Sequence, residues 1–586
     1  MLSSVVTVPA PHPRRYFPDQ FRLSSWEAIA PYLQEITGRT INSLAELERW
    51  IEDVDEIDRI LGEEARWRRI KLTCNTQDPD IAASFEQYIN DILPKLTPFT
   101  HEIHLKLAQN PYYEQLDKDK YFIHLRYIQN SIRLYNEKNI PLSTQLSLKE
   151  KEYRVKIGNI SINFNGEEMT LQQAGQLLSS PDRELRENIF HLIAQKWLSI
   201  ENELDDLYDE LIALRHQIAV NAGFDNFRDY KFAALGRYEY TPADCLQFHQ
   251  AVAAEIIPIY TQIAQQHKEA MGINPYRPWD SAADPYGRPP LKPFDQISKL
   301  TQTTIECLGN VSPQFGDFLQ IMQSVNHLDL ESRKGKAPGG YNSSLPESGL
   351  PFIFMNAVGT SRDIRTMVHE SGHAVHTFLC RHQPLSTFKS PPSEVAELAA
   401  MSMEMFTMEH WEMFFEDEND LVRAKIEQLE QILHIFGWVS TVDAFQHWVY
   451  THPNHTRQER REEWAKIHKT FAPNTSDWSG IEHYKRASWH KQLHIFEVPF
   501  YYIEYAMAQL GAVAMWKQYR ENPKQAIQNY THALAMGYTR PIPEIYQAAG
   551  IKFDFSQEYI RSLSQFLNQQ LQELYKLSPQ HAEALS

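Results

Sequence analysis

Residues 366–379 read TMVHESGHAVHTFL, and this stretch organises the reading of the whole chain. His369 and His373 stand four residues apart, so on a helix both imidazoles project from one face, one turn apart. Two nitrogens placed that way can reach a single tetrahedral zinc, and Glu370 between them can reach water at the metal. Zinc lowers the pKa of such water, and a neighbouring carboxylate can take its proton and pass it to a leaving amine. Met367, Val368, Ala374, Val375, Phe378 and Leu379 supply the apolar neighbours that a buried helix needs.

Two imidazoles do not complete a zinc site. His376 lies seven residues from His369, roughly 10 Å along a helix axis at 1.5 Å per residue, too far to share the ion. A histidine ten residues after His369 would extend the motif, but that position is Leu379. Pro384, Pro391 and Pro392 then force a loop, and SEVAELAAMSME, residues 393–404, opens a second helix with Glu394, Glu397 and Glu404 as candidate ligands. Glu394 falls in the first turn, where the helix dipole already accounts for an acid. Glu397 sits among Val395, Ala396, Leu398, Ala399 and Ala400, where an uncompensated charge is costly and a metal would satisfy it. Glu404 shares its face, either as an acceptor for a ligating imidazole or facing solvent.

Outward from this core, helical periodicity dominates. Leu44, Leu47, Ile51, Val54, Ile57 and Leu61 recur every three or four residues behind a Ser43/Glu46 capping box. Similar patterns cover about 80–107, 171–219, 242–271, 421–449 and 499–519. Tyr153, Val155 and Ile157 alternate with polar residues, as do Ile160, Ile162 and Phe164, and predict a β-hairpin near 153–164 around Gly158-Asn159. Six prolines between Gly272 and Asp295 mark a long loop. The Gly- and Pro-rich run 332–350 feeds a short strand at 351–356, read equally as a cleft edge or as buried structure. The chain of 586 residues exceeds one core's usual span, so an N-terminal helical region (1–200) and a catalytic region (201–586) are expected.

Composition sets limits. The 42% hydrophobic and 23% charged residues fit a globular protein, and 22 glycines among 586 residues favour helices. A net charge of -18 without a Lys/Arg cluster excludes a nucleic-acid partner. Cys74, Cys245, Cys307 and Cys380 are too scattered for a disulfide scaffold or a CxxC metal site, which points to a reducing compartment. The Pro-interrupted N-terminus does not read as a secretory signal, and no apolar run spans a bilayer, so a cytoplasmic protein without a membrane partner is expected. Oligomeric state is not legible.

HESGHAVH followed by SEVAELAAMSME resembles the thimet oligopeptidase and oligoendopeptidase F family of zinc peptidases. Further segments are similar: TCNTQDPDIAASFEQYI, NGEEMTLQQAGQLLSSPDRELRE, KAPGGYN and HIFEVPFYYIEYAMAQLGA. The resemblance implies a mainly α, large helical fold with a deep central channel and a small β region beside the active-site helix. It implies one Zn2+ per chain on His369, His373 and Glu397, and hydrolysis of oligopeptides. It also implies that His494, Tyr501 and Tyr505 face the metal and support the oxyanion, with Tyr502 as a rival donor and Phe496 where the family carries a tyrosine. An exopeptidase of the same class and a noncatalytic peptide-binding protein are the alternatives. A purely structural zinc, however, takes four protein ligands and needs no Glu370.

Overall fold

Ser43 caps the first long helix as its sequence requires: its hydroxyl accepts from Glu46 N at 3.2 Å, and the helix runs Leu44–Cys74. Leu47, Ile51, Ile57 and Leu61 are buried, while Leu44 and Val54 pack at the edge of the same cluster. The structure, a computed structural model, describes residues 6–158 and 160–581. Helices dominate throughout, and the expected pattern at 171–219 is divided into Leu171–Gln176, Arg183–Ser199 and Glu201–Asn221. Among the described residues no helix is long and apolar enough to cross a membrane.

The hairpin lies later than its sequence reading. Residues 153–157 belong to the helix Asn139–Gly158, and the hairpin pairs Ser161–Phe164 with Glu167–Thr170. Its turn is Asn165-Gly166, with φ of 54° and 85°, the left-handed pair that an Asn-Gly hairpin turn requires. Asn159, half of the expected turn, lies outside the described residues. Tyr153 and Ile157 fit a period of four as well as a period of two, so Val155 decides between them. It is 54% exposed, whereas Tyr153 is buried, stacks on Phe496 at 4.2 Å and donates to His490 O.

The chain divides into two compact units, neither continuous in sequence. The first comprises the described residues up to Arg133 together with Lys292–Glu416 and Gly511–Phe553. The second comprises Leu134–Leu291, Asp417–Leu510 and the described residues from Asp554. Residues 200 and 201 both fall in the second unit, so the expected boundary there does not separate compact bodies. The reason is that each unit is closed by segments returning from far along the chain, which local pattern does not encode.

In the first unit a three-stranded sheet has the order Leu328–Glu331, Leu350–Ala357, Tyr341–Leu345, parallel in the first pair and antiparallel in the second. Leu350–Ala357 is the central, buried strand; Tyr341–Leu345 is at the edge. Phe352, Phe354 and Leu345 pack with Ile70 and Trp67 of the long first helix, and Thr73 shares a 2.6 Å hydrogen bond with the Tyr341 hydroxyl. That packing fixes the edge strand against the helix Ser361–Cys380: Asn342 Nδ2 donates to Glu370 O at 3.1 Å, and Ser344 and Thr377 hydroxyls meet at 2.7 Å.

Candidate active site

The helix carrying HESGH starts from a tightly built N-terminus. Gly359, at φ 97°, turns the chain where a Cβ would stand 2.8 Å from Phe294 O. Thr360 and Asp363 then form a capping box, and Asp363 also accepts from Val358 N at 3.0 Å. From this start Ser361–Cys380 runs with Met367, Val368, Ala374, Val375, Phe378 and Leu379 all buried. Its partner is the helix Ser393–Met408, whose buried face includes Val395, Leu398, Ala399 and Ala400.

Gly372 allows these two helices to approach. A methyl group at that position would lie 2.6 Å from Ala400 Cα, 2.7 Å from Ala399 O and 3.0 Å from Met403 Cβ, so only glycine fits. Tyr530 holds the second helix from behind, donating to Ala399 O at 2.8 Å.

The close approach delivers one carboxylate to two imidazoles. Glu397 Oε2 stands 3.3 Å from His369 Nε2 and 3.8 Å from His373 Nε2, and one donor atom from each of the three residues lies within 4.8 Å of the others. Neighbouring donors around a tetrahedral zinc are separated by roughly 3.3 Å, given bonds of about 2.0–2.1 Å, so this donor set fits such an ion. The imidazole side chains are 20% exposed. His369 Nδ1 meets Glu404 Oε1 at 2.7 Å, so Glu404 orients an imidazole rather than facing solvent. Glu394 and His376 are buried but stand outside the donor set.

Electrostatics differentiate the residues. Burial opposes charge on His369, but its hydrogen bonds to Glu397 and Glu404 outweigh burial and hold its pKa well above the usual histidine value. His373, with burial dominating, is pushed down to about 4 and is neutral, the form that ligates. Glu370 is buried, its Oε2 has no hydrogen-bond partner, and burial pushes its carboxyl up to about 7. A carboxylate in that range is poised to accept a proton near neutrality.

His494, Tyr501 and Tyr505 belong to the second unit and form a cluster there: His494 lies 6.2 Å from each tyrosine ring, and Tyr501 and Tyr505 are 5.3 Å apart. All three keep exposed surface. Tyr502 is also near, 4.6 Å from the His494 ring, and burial raises the pKa of its hydroxyl. Phe496 is a fully buried core residue.

Two supports of this cluster carry no local sequence signal. Trp438 Nε1 donates to Gln492 Oε1 at 3.0 Å, which fixes the amide so that Gln492 Nε2 donates to His494 Nδ1 at 2.6 Å. Burial lowers the His494 pKa to about 4, so the ring is neutral and its proton sits on Nε2, free to donate. Phe500, just before Tyr501, adopts φ 66°, strained for a bulky residue. Gln446 accepts from its N–H at 3.1 Å, and its carbonyl accepts from Arg237, which is itself paired with Glu504 at 2.7 Å.

The comparisons agree with this architecture. Residues 176–565 match the model of Peptidase family M3, and residues 20–135 match the Peptidase M3 N-terminal domain. An oligoendopeptidase F homolog of Mycoplasma genitalium is 23% identical over 306 residues, 49% of this chain and 49% of that one. Oligopeptidase PepF of Bacillus subtilis is 25% identical over 272 residues, 46% of this chain and 40% of that one. The aligned stretches thus span about half the length of these relatives, or less. The solved structure of PZ peptidase A with inhibitor 2 superposes with a TM-score of 0.87 at 26% identity, covering 95% of this chain and 99% of that one. With two thirds of its length matched by one family model, and the metal-type donors lying within that match, the chain belongs to Peptidase family M3.

Proposed function

We propose that this chain is a zinc-dependent endopeptidase acting on short peptides, with one Zn2+ held by His369, His373 and Glu397 and with Glu370 as general base. The observation that carries this reading is the donor set itself: two imidazoles and a carboxylate from two helices, within 4.8 Å, with an unpaired buried carboxylate oxygen on the adjacent residue. Three protein ligands leave the open position that catalysis uses and a structural zinc lacks.

Zinc, when bound, polarises the scissile carbonyl and acidifies water. Glu404 fixes the His369 ring by accepting from Nδ1–H, leaving Nε2 as the ligating nitrogen. Glu370 accepts the proton of the attacking water at its free oxygen and delivers it to the leaving amine. His494 through Nε2–H, and Tyr501 or Tyr505 through a hydroxyl, are proposed to donate to the developing oxyanion, as the family resemblance implies. The edge position of Tyr341–Leu345, lying along the metal-donor helix, offers unpaired backbone groups to which an extended peptide can add as a strand. Confinement of the substrate to short peptides in an enclosed channel, and a cytoplasmic setting, belong to this proposal.

Incubation with a mixed peptide library, with and without chelator, tests it by mass spectrometry of the products. Internal cleavage of short peptides that stops with chelator and returns with Zn2+ is the expected result. Release of residues at a fixed distance from one terminus would identify an exopeptidase, and cleavage unaffected by chelator would overturn the metal chemistry.

A further inference from the structure

A second set of metal-type donors, sharing no residue with the first, is assembled wholly within the second unit. Cys245 and His249 stand at i and i+4 on the helix Pro242–Glu255, and Asp443 and His447 stand at i and i+4 on the helix Glu418–Thr451. Each pair therefore presents both side chains from one helix face, one turn apart. All four residues are at most 4% exposed, and Cys245 is in no disulfide. A donor atom from each of Cys245, Asp443 and His447 lies within 4.8 Å of the others, and His249 stands outside that three-residue set, adjoining it through Asp443. Asp443 Oδ2 stands 2.9 Å from His249 Nε2 and 3.2 Å from His447 Nε2. These separations approach the roughly 3.3 Å between neighbouring donors of a tetrahedral zinc.

The ordinary alternative is a buried Asp–His ion pair that satisfies itself. It leaves too many atoms without partners. The His249–Asp443 contact has hydrogen-bond geometry, and His447 Nε2 adds a 3.2 Å ion-pair contact to the same carboxylate oxygen; Asp443 Oδ1, His249 Nδ1 and His447 Nδ1 are left without a hydrogen-bond partner among the described residues. Buried polar atoms are nearly always paired, so such a concentration of orphans in one place requires a cause. A cation takes a lone pair from carboxylate, imidazole and thiolate together. A sulfur, two nitrogens and an oxygen form the mixed donor set of a borderline-soft ion, which selects zinc over calcium or magnesium.

We propose that Cys245, Asp443 and His447, with His249 beside the carboxylate as the fourth ligand, form a second zinc site that clamps the helices Pro242–Glu255 and Glu418–Thr451 together. A set of four protein ligands, fully buried, has no open position, so this ion is structural and not hydrolytic. Its place in the fold gives it a consequence: the His447 ring packs on Phe500 at 5.3 Å, and Phe500 is the strained residue that precedes Tyr501. The proposal stands independently of the peptidase reading, since it shares no residue with that site.

Cobalt substitution tests it on the full-length protein. The His369/His373/Glu397 set contains no sulfur, so thiolate-to-cobalt charge-transfer absorption in the near ultraviolet reports only a cysteine-bearing site. Metal-free protein titrated with Co2+ should develop that band, and with Zn2+ it should take up two ions per chain. In Cys245→Ser, checked for fold by circular dichroism, the band should vanish and zinc should fall to one per chain while chelator-sensitive peptide cleavage persists. His447→Ala should likewise lose one ion. Absence of the band in wild type, or a band that survives in Cys245→Ser, overturns the proposal. Should Cys245→Ser not fold, zinc content of the folded variant His369→Ala/His373→Ala decides instead: one retained ion supports the second site and none refutes it.

Discussion

Replacing Gly372 with alanine perturbs the close approach of the helices Ser361–Cys380 and Ser393–Met408. The added methyl would lie 2.6 Å from Ala400 Cα and 2.7 Å from Ala399 O, against about 3.5–4.0 Å for ordinary carbon contacts. Because the obstacle is backbone, no side-chain rotation relieves it, and the helices must part by about 1 Å. Glu397 Oε2, now 3.3 Å from His369 Nε2, would then stand near 4 Å, whereas a metal site tolerates errors of about 0.2 Å in its bonds. Alanine favours a helix interior by about 1 kcal/mol over glycine, and overpacking costs about 1–3 kcal/mol, so overpacking outweighs propensity. Gly372→Ala should lower Tm and weaken zinc binding at least tenfold, read by thermal unfolding and by competition against a chromophoric chelator. Unchanged zinc affinity together with an equal or higher Tm would refute the reasoning that glycine is required for close approach.

Other consequences follow from the same geometry. Glu397→Ala should lose the peptidase-site zinc, measured by metal analysis; undiminished binding there would remove Glu397 from the ligand set. Tyr501→Phe or Tyr505→Phe, whichever hydroxyl serves the oxyanion, should lower kcat by about a hundredfold, some 3 kcal/mol, with little change in KM or Tm; normal kcat in both would transfer the role to His494 alone. Gln492→Leu removes the donor that fixes the His494 tautomer, so kcat should fall without loss of metal, and steady-state kinetics beside zinc analysis separate the two effects. In the pH profile of kcat/KM, protonated Glu370 cannot act as base, so activity rises as pH increases through its pKa. Burial raises that value from 4.5 toward about 7 and the cation opposes the rise, placing the acid limb between the two; activity that persists undiminished well below pH 4 would contradict the assignment.

The readable parts of this molecule are those encoded by short-range spacing. His369 and His373 are four residues apart, and a helix converts that spacing into a shared face without reference to the rest of the chain. The Ser43 cap and the apolar stripe behind it are legible for the same reason. Glu397 is harder, because the sequence supplies three acids on one helix and the close packing of the two helices around Gly372, which local pattern does not encode, brings Glu397 near both imidazoles while Glu404 meets His369 alone. The hairpin falls later than its spacing predicts because Tyr153 and Ile157 satisfy two periods at once, and burial, not pattern, separates them. Trp438 and Gln492 are 54 residues apart, so the amide orientation that sets the His494 tautomer has no local trace. Scattered cysteines exclude a CxxC site but not one built from two helices: Cys245 and Asp443 are far apart in sequence and adjacent only after folding. The two units are likewise invisible to local pattern, each being assembled from three separate segments.

The central claim, that this donor set serves a hydrolytic reaction with Glu370 as its base, is tested most directly by Glu370→Gln. The amide keeps the shape of the side chain but cannot accept a proton, and general-base catalysis contributes on the order of a hundredfold to ten-thousandfold. Metal content and peptide turnover are measured on the same preparation. The account predicts zinc retained at the wild-type level with kcat reduced by at least about a hundredfold. Near-wild-type turnover would contradict the general-base role, and loss of zinc would make Glu370 a ligand instead.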